Sequence, residues 1–193
     1  TGGQTMNPST DDILKEINRT PANTVFVLPN NKNIIMAAEQ CVRLSDKKVI
    51  IIPTRTVPQG ISAMLMFDET ASADENQMNM LSAAENVETA QVTFAARDSE
   101  VDGKPIKQGE IMGLCNGKIK YIGDDITDIA VKAAHKLFKK GEHSLITIIY
   151  GEGASEDDAE AVEKALYEKY GNDVEISIVN GGQPIYYFII SVE

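Results

Sequence analysis

Two apolar runs near the start of the chain enclose a segment of helical periodicity. The runs at 24–29 (TVFVLP) and 48–54 (KVIIIPT) are rich in β-branched residues and contain a closing proline, which is typical of strands. Between them, residues 31–45 repeat apolar positions at the spacing of one helix face. The pattern predicts a βαβ unit with parallel strands, the second of which is apolar enough to be covered on both faces.

The rest of the chain alternates between helical and extended patterns. Helices are predicted over 61–67, 73–87, 125–141 and 155–171, strands over 91–99, 144–151, 174–182 and 185–193, and an antiparallel meander over 100–123. The segment GGQP is short enough to join the last two strands as antiparallel neighbours. The predicted fold class is α/β, with mixed sheets, helices packed on their faces and a small antiparallel β meander.

The same pattern suggests how the chain is organised. Residues 1–23 are interpreted as a linker from a preceding domain plus a short helix that begins with a capping box at Ser9 and Asp12. Residues 24–193 form one domain, with a break between two lobes near 95–124. The chain opens with TGGQTMNPST, without an initiator Met, so we expect it to be a piece of a longer protein. The last strand is expected at a sheet edge, which would permit a homodimer.

Charge and composition exclude several classes of partner. The net charge is −11 and the pI is about 4.7, so nucleic acid and acidic membrane surfaces would be repelled. No apolar stretch reaches the ~18 residues that span a bilayer, and no signal peptide is present. Cys41 and Cys115 have no neighbouring cysteine, and two histidines do not complete a zinc pattern. We expect a cytoplasmic protein with no membrane insertion and no metal site.

Familiar catalytic motifs are missing from the chain. There is no phosphate-binding GxxxxGK[ST] loop, no GxSxG and no HExxH. The segment YGEGAS (150–155) has the layout of a phosphate loop, but four carboxylates surround it, so it is either a capped turn or an acidic tip for a metal or partner. The acidic residues at 124, 125 and 128 are either helix caps or Mg²⁺ ligands, and His135 is either structural or functional.

Two polar segments follow the strands of the βαβ unit and should lie together. Ligands of open α/β sheets gather beyond the carboxyl ends of the strands, where LPNN and PTRTVPQG are placed. Either these residues only cap helices and close turns, or they form a rim that binds a partner or ligand. The candidate rim consists of Asn30, Asn31, Thr54, Arg55, Thr56, Gln59 and Gly60. None of these groups titrates near pH 7, so no catalytic residue is assigned.

A run of large apolar residues follows the second polar segment. It comprises Ile61, Met64, Leu65, Met66 and Phe67, with Met78 and Met80 further along. Methionine adapts to irregular apolar ligands, so these residues could line a ligand tunnel. Packing in the protein core is the expected alternative.

Four motifs resemble those of a known family. GGQTMNPST, LPNNKNIIMAAEQ, VIIIPTRTVPQGISAM and the terminal GGQPIYYFIISVE resemble the C-terminal region of the dihydroxyacetone-kinase-like family, which includes the A subunit of bacterial fatty acid kinase. The resemblance covers nearly the whole chain, with residues 70–120 contributing least. It implies a fold of the DegV and dihydroxyacetone kinase type, also called the EDD type.

The resemblance also implies a function. In that family a separate N-terminal lobe binds ATP and Mg²⁺ and phosphorylates the carboxylate of a fatty acid. A DegV-like B subunit carries the fatty acid, and the C-terminal domain helps to dock that subunit. The family's aspartate cluster has no counterpart here, and neither His135 nor His143 matches the substrate-binding histidine of dihydroxyacetone kinase. We therefore expect a non-catalytic docking domain of a kinase, without its own cofactor. The alternatives are a domain that binds fatty acid directly, or part of a dihydroxyacetone kinase-like enzyme.

Overall fold

The computed structural model describes residues 7–101 and 103–193, which divide into two compact units. The first unit ends at Val87 and the second begins at Glu88. This boundary lies ahead of the 95–124 segment, where the sequence suggested a break. The reason is that residues 88–94 form a strand of the second unit, with which residues 111–115 pair, and residues 118–123 pair in turn with residues 111–115. The first residues of the predicted linker, 1–6, lie outside the described residues.

The first unit contains four helices and two strands among its described residues. In chain order they are α1 (Thr10–Arg19), β1 (Thr24–Val27), α2 (Lys32–Leu44), β2 (Lys48–Ile51), α3 (Val57–Leu65) and α4 (Ala73–Glu85). The predicted capping box opens α1, since the side chain of Ser9 accepts from the N–H of Asp12 and the Asp12 carboxylate accepts from the N–H of Ser9. The predicted βαβ unit is also confirmed, because β1 and β2 pair in parallel.

Successive side chains of β2 point to opposite faces of this small sheet, and two of the four helices pack on each face. Val49 packs with Ile17 of α1 and Cys41 of α2 in one buried cluster. Ile50 and the adjoining Ile52 pack in another with residues of α3 and α4. Successive side chains of a strand point to opposite faces, so an almost continuous apolar run requires cover on both sides. The prediction that this strand is covered on both faces is confirmed.

The second unit has eight strands and two α-helices among its described residues. In chain order they are β3 (Glu88–Phe94), β4 (Ser99–Val101), β5 (Lys104–Ile106), β6 (Ile111–Cys115), β7 (Lys118–Gly123), α5 (Ile126–Leu137), β8 (Leu145–Tyr150), α6 (Glu156–Tyr170), β9 (Glu175–Asn180) and β10 (Tyr186–Val192). Six strands form one sheet in the order β7-β6-β3-β10-β8-β9, and β4 pairs with β5 in a separate hairpin. The mixed sheet and the small antiparallel pair confirm the predicted fold class.

The positions of the last two strands differ from the prediction. β9 pairs with β8 in parallel, and β10 lies between β3 and β8, antiparallel to both. The expected antiparallel pair of β9 and β10 is wrong, and so is the expected edge position of the last strand. Helix α6 provides the crossover connection that the parallel pair of β8 and β9 needs. The chain then reverses direction, and β10 inserts between β3 and β8. In this sheet the edges are β7 and β9.

The core of the second unit follows from this order. Helices α5 and α6 pack against the sheet, and Phe188, Ile190 and Val192 of β10 are fully buried among their residues. Phe188 pairs with Val92 on one side and with Tyr150 on the other. The last strand in the sequence, β10, therefore lies at the centre of the core of the second unit.

Truncating Phe188 to alanine should be severely destabilising. The side chain is 0% exposed, and removal of a buried phenylalanine costs about 3–5 kcal/mol because it loses transfer free energy and leaves a cavity. Val179→Ala on the edge strand β9, at a residue 45% exposed, should cost less than about 1 kcal/mol. Urea unfolding of the two variants measures both values. Equal costs would contradict the central position of β10.

Candidate functional site

The two polar segments meet beyond the carboxyl ends of β1 and β2. The N–H of Asn30 donates to Oγ1 of Thr54 at 3.1 Å, and the Thr54 hydroxyl donates to Oδ1 of Asn30 at 2.8 Å. Thr54 is only 1% exposed. This reciprocal pair joins the segment after β1 to the segment after β2, so the structure does bring the candidate rim together.

Asn30 also contacts the first turn of α3. Its φ is 55°, in the left-handed region that asparagine tolerates better than most residues. A Cβ atom placed on Gly60 would lie 2.1 Å from Oδ1 of Asn30. Glycine is therefore required at position 60, because any side chain there would displace the Asn30 amide from Thr54.

The other rim residues cap the two helices that begin at the rim. Asn31 is the N-cap of α2, and its Oδ1 accepts from the N–H of Asn33 at 2.9 Å. Thr56 is the N-cap of α3, and its hydroxyl accepts from the N–H of Gln59 at 3.4 Å. Oε1 of Gln59 in turn accepts from the N–H of Arg55 at 2.8 Å. Most polar groups of the rim are thus used by the chain itself, as N-caps and turn contacts.

Arg55 differs from the rest of the rim in its exposure. Its side chain is exposed, whereas Thr54, Thr56 and Gly60 are buried and the remaining three residues are half-buried. The rim therefore presents one cation to solvent above a rigid, internally bonded frame. A binding role for Arg55 and for the other six residues stays a prediction.

An apolar surface begins directly after this frame. Helix α3 buries small residues, including Gly60 and Ala63, and turns its large side chains outward. We call the exposed set the α3 apolar surface; it consists of Val57, Ile61, Met64, Leu65, Met66 and Phe67. Leu65 is 79% exposed and Met64 56%. Contiguous exposed apolar residues of this kind mark contact sites for proteins or lipids.

The expectation that these residues form core is wrong, with one exception. Met80 is 0% exposed and belongs to the core of the first unit, but Met78 is 64% exposed. Sequence reasoning missed the outward direction of α3 because large apolar residues are normally assigned to the buried face. The spacing of Gly60 and Ala63 on one side of the helix was the available signal.

The other candidate groups are used as caps or structural contacts. Asp125 is the N-cap of α5, and its Oδ1 accepts from the N–H of Asp128 at 2.7 Å. Ser155 caps α6, and its hydrogen bonds to Asp158 lower the pKa of that carboxyl. Nδ1 of His135 contacts the Tyr170 hydroxyl, and partial burial, followed by the charge of a nearby lysine, lowers the pKa of the imidazole.

Metal-binding clusters and membrane spans are both absent from the described residues. Within 7–101 and 103–193, no three His, Cys, Asp or Glu side chains are grouped to hold a metal ion. Over the same ranges, no helix combines the length and the apolar character needed to cross a bilayer.

The fold and sequence together define the class of this protein. It is an α/β protein with a mixed sheet, and over residues 1–193 it matches the C-terminal family of proteins like the A subunit of fatty acid kinase. The chain belongs to that family. It is 46% identical over 192 residues to protein YloV of Bacillus subtilis (strain 168), and the match spans 100% of this chain and 34% of YloV. The chain therefore corresponds to about a third of the length of this relative.

Solved structures show the same fold at low sequence identity. A DegV family protein from Ruminococcus gnavus, refined with vaccenic acid, has a TM-score of 0.65 at 17% identity, and the match covers 97% of this chain and 77% of that one. The fatty acid kinase B3 protein of Streptococcus pneumoniae, loaded with linoleic acid, has a TM-score of 0.65 at 14% identity, over 96% and 76%. The dihydroxyacetone kinase of C. freundii, with AMP-PNP and Mg²⁺, has a TM-score of 0.61 at 13% identity, over 97% and 42%.

The contact between Asn30 and Gly60 should be detectable as an energetic coupling. Gly60→Ala would normally favour a helix, but here we expect it to destabilise the chain by about 1–3 kcal/mol through overpacking against Asn30. Asn30→Gly keeps the left-handed backbone and loses the contact with Thr54, at a cost of about 1 kcal/mol.

The double variant provides the control, measured by chemical unfolding. Without the Asn30 side chain, the new methyl group at position 60 has room. The double variant should therefore lose at least about 1 kcal/mol less stability than the sum of the losses in the two single variants. Strict additivity would show that the two residues do not support each other.

Proposed function

We propose that this chain is the docking domain of a fatty acid kinase, within its A-type subunit, and that its partner is a DegV-like B subunit that carries a fatty acid. The observation that carries the proposal is the α3 apolar surface beside the exposed cation Arg55. Family membership supports the kinase system. The fatty acid kinase B3 protein, which shares the fold at a TM-score of 0.65, indicates what kind of partner that system uses.

The physical properties of this surface suit a protein partner. An apolar centre with a charged residue at its rim is the common arrangement of a protein interface. Its residues project from a helix whose start is fixed by the contacts of Thr56 and Gly60. A helix that is already fixed at its start loses little backbone freedom on binding, which favours affinity. Arg55 could pair with a carboxylate of the partner and set the orientation of docking.

The same proposal assigns catalysis elsewhere. In this chain the rim polar groups serve as caps and turn contacts, and none of them is suited to proton transfer near neutral pH. ATP and Mg²⁺ would be bound by a part of the full-length protein outside the matched third. The present domain would bring the B subunit and its fatty acid to that ATP-binding part of the protein, where the carboxylate of the fatty acid would be phosphorylated.

The proposal also includes a cytoplasmic location. Cys41 and Cys115 are both buried as free thiols, and burial raises the pKa of each, so neither is poised to react. Buried, unpaired cysteines are usual in reducing compartments.

Direct binding of a fatty acid is the second candidate function. Met64, Met66 and Met78 are among the exposed methionines of the first unit, as are Leu65 and Phe67 among its other apolar residues. Flexible thioether side chains adapt to acyl chains. Native mass spectrometry of the purified chain distinguishes this function. A co-purified fatty acid would favour it, and a protein mass without ligand would count against it.

Arg55→Glu and Leu65→Glu should both weaken the binding of a purified, fatty-acid-loaded DegV-type B subunit. For Arg55→Glu we expect a loss of at least about 1 kcal/mol, which is roughly fivefold in Kd. For Leu65→Glu we expect a larger loss, because a carboxylate would be buried at the apolar centre of the contact. Isothermal titration calorimetry measures both.

Two matched variants control for charge reversal and for loss of an exposed apolar side chain. Lys120→Glu on β7 and Leu44→Ser at the end of α2 both change exposed residues outside the α3 apolar surface, and they should leave Kd unchanged. Failure of the folded wild-type chain to bind at about 100 μM, where a free energy of roughly −5.5 kcal/mol would suffice, would reject the proposed function. Unchanged affinity of Leu65→Glu would reject this surface.

A further inference from the structure

Ile185 adopts a backbone conformation that β-branched residues rarely take. Its φ is 73°, and the N–H of Tyr186 donates to the carbonyl oxygen of Pro184 at 2.8 Å. Residues 184–186 therefore form a γ-turn whose central residue has a positive φ, a type of turn that is rare and strained. We call it the Ile185 turn. A glycine would adopt this conformation without strain, so the isoleucine imposes a conformational cost on the fold.

Neighbouring groups hold the turn in this conformation. The hydroxyl of Thr93 donates to the carbonyl oxygen of Ile185 at 2.8 Å. The N–H of Gly151 donates to the carbonyl oxygen of Tyr187 at 3.0 Å, and a Cβ on Gly151 would lie 2.2 Å from the carbonyl oxygen of Tyr186. The turn is therefore fixed by contacts with β3 and with the loop after β8, and it is presented as a rigid tip.

Burial does not compensate for the strain of this turn. Ile185 is 36% exposed, and nearby Phe94 is 38% exposed. The rings of Phe94 and Tyr187 meet edge to face, with centroids 6.2 Å apart. An over-determined, strained backbone that exposes an apolar side chain is the arrangement expected at a functional contact. Tyr187 packs against the core of the second unit, whereas Ile185 and Phe94 are exposed; we call these three residues the knob.

The charges beside this knob define what could cover it. A Cβ on Gly153 would lie 2.7 Å from the ring of Tyr187, so the GEG loop lies against the knob. That loop and the start of α6 carry the exposed carboxylates of Glu152, Glu156 and Asp157. These charges would repel a phosphate, a fatty acid carboxylate or a second copy of this chain, whose net charge is −11. They would attract a surface rimmed by lysine and arginine.

We propose that the Ile185 turn is a second docking element, and that Ile185 and Phe94, supported by the ring of Tyr187, enter an apolar depression with a basic rim on the DegV-like partner. The identity of the partner rests on the proposed function, but the knob itself is an independent observation on the second unit.

The test uses the full chain and the same fatty-acid-loaded DegV-type B subunit. Ile185→Gly removes the apolar side chain and relieves the strained φ, so its melting temperature should equal or exceed that of the wild type. Ile185→Asn retains a side chain that tolerates a left-handed backbone. Both variants should weaken binding at least about fivefold in calorimetric titration. Leu44→Ser is the control for loss of an exposed apolar side chain and should bind normally.

Charge reversal at the knob provides the second measurement. Glu152→Lys should weaken binding about two- to fivefold at low salt, and the difference should shrink in about 0.5 M NaCl, since exposed charges are screened. Glu168→Lys, at an exposed site late in α6, should have no effect.

The outcomes separate this proposal from the proposed function. Normal binding by Ile185→Gly and Ile185→Asn, together with weak binding by Leu65→Glu, would overturn the second docking element and leave the proposed function standing. A large loss of thermal stability in Ile185→Gly would assign the isoleucine to folding and also overturn it. Self-association of the wild type that Ile185→Asn abolishes would identify a second copy as the occupant instead. No binding by the folded wild type would reject both proposals.

Discussion

The amide of Asn30 fixes the geometry on which the first unit's candidate site depends. It accepts a hydrogen bond from the Thr54 hydroxyl and lies against Gly60, so one side chain links the end of β1, the end of β2 and the first turn of α3. Asn31 fulfils the corresponding role for α2 as its N-cap. The two asparagines therefore hold the chain itself, and the proposed partner surface is what that arrangement positions.

The direction of α3 follows from where its small residues lie. Gly60 allows close approach to Asn30, and Ala63 is 0% exposed in the core of the first unit. A helix that packs through small residues must turn its large ones outward. The apolar groups left in water reduce the stability that the chain could otherwise gain by burying them. Such an exposure is easily understood if another molecule covers it during function.

The second unit carries a related conflict between local preference and structure. Isoleucine disfavours positive φ, yet Ile185 is held there by Thr93 and by the turn that follows Pro184. Sequences are mostly consistent from local propensity to tertiary contact, and local violations concentrate at functional sites. The outward α3 and the strained turn are violations of two different kinds, one of burial and one of backbone conformation.

The sequence by itself determined the local elements and the family. Periodicity placed most helices and strands within a few residues of their observed bounds, although α3 begins at Val57 and β3 ends at Phe94, each several residues before the predicted position. The residue types at Ser9 and Asp12 marked a capping box that the structure contains. These features depend on residues within one or two turns of each other, so they can be inferred from the chain alone. The parallel pairing of β1 and β2 followed from the helix that connects them.

Only the tertiary structure decided the features that depend on distant residues. The place of β10 is set by pairing with β3, about 100 residues earlier along the chain, and with β8, about 40 residues earlier. The sequence showed only a short GGQP connection. The outward face of α3 is set by what packs beneath Gly60 and Ala63. The contact of Asn30 with Thr54 likewise formed only when the two strand ends were brought together. Local pattern specifies which elements form, and burial and pairing decide which side of each element meets the solvent.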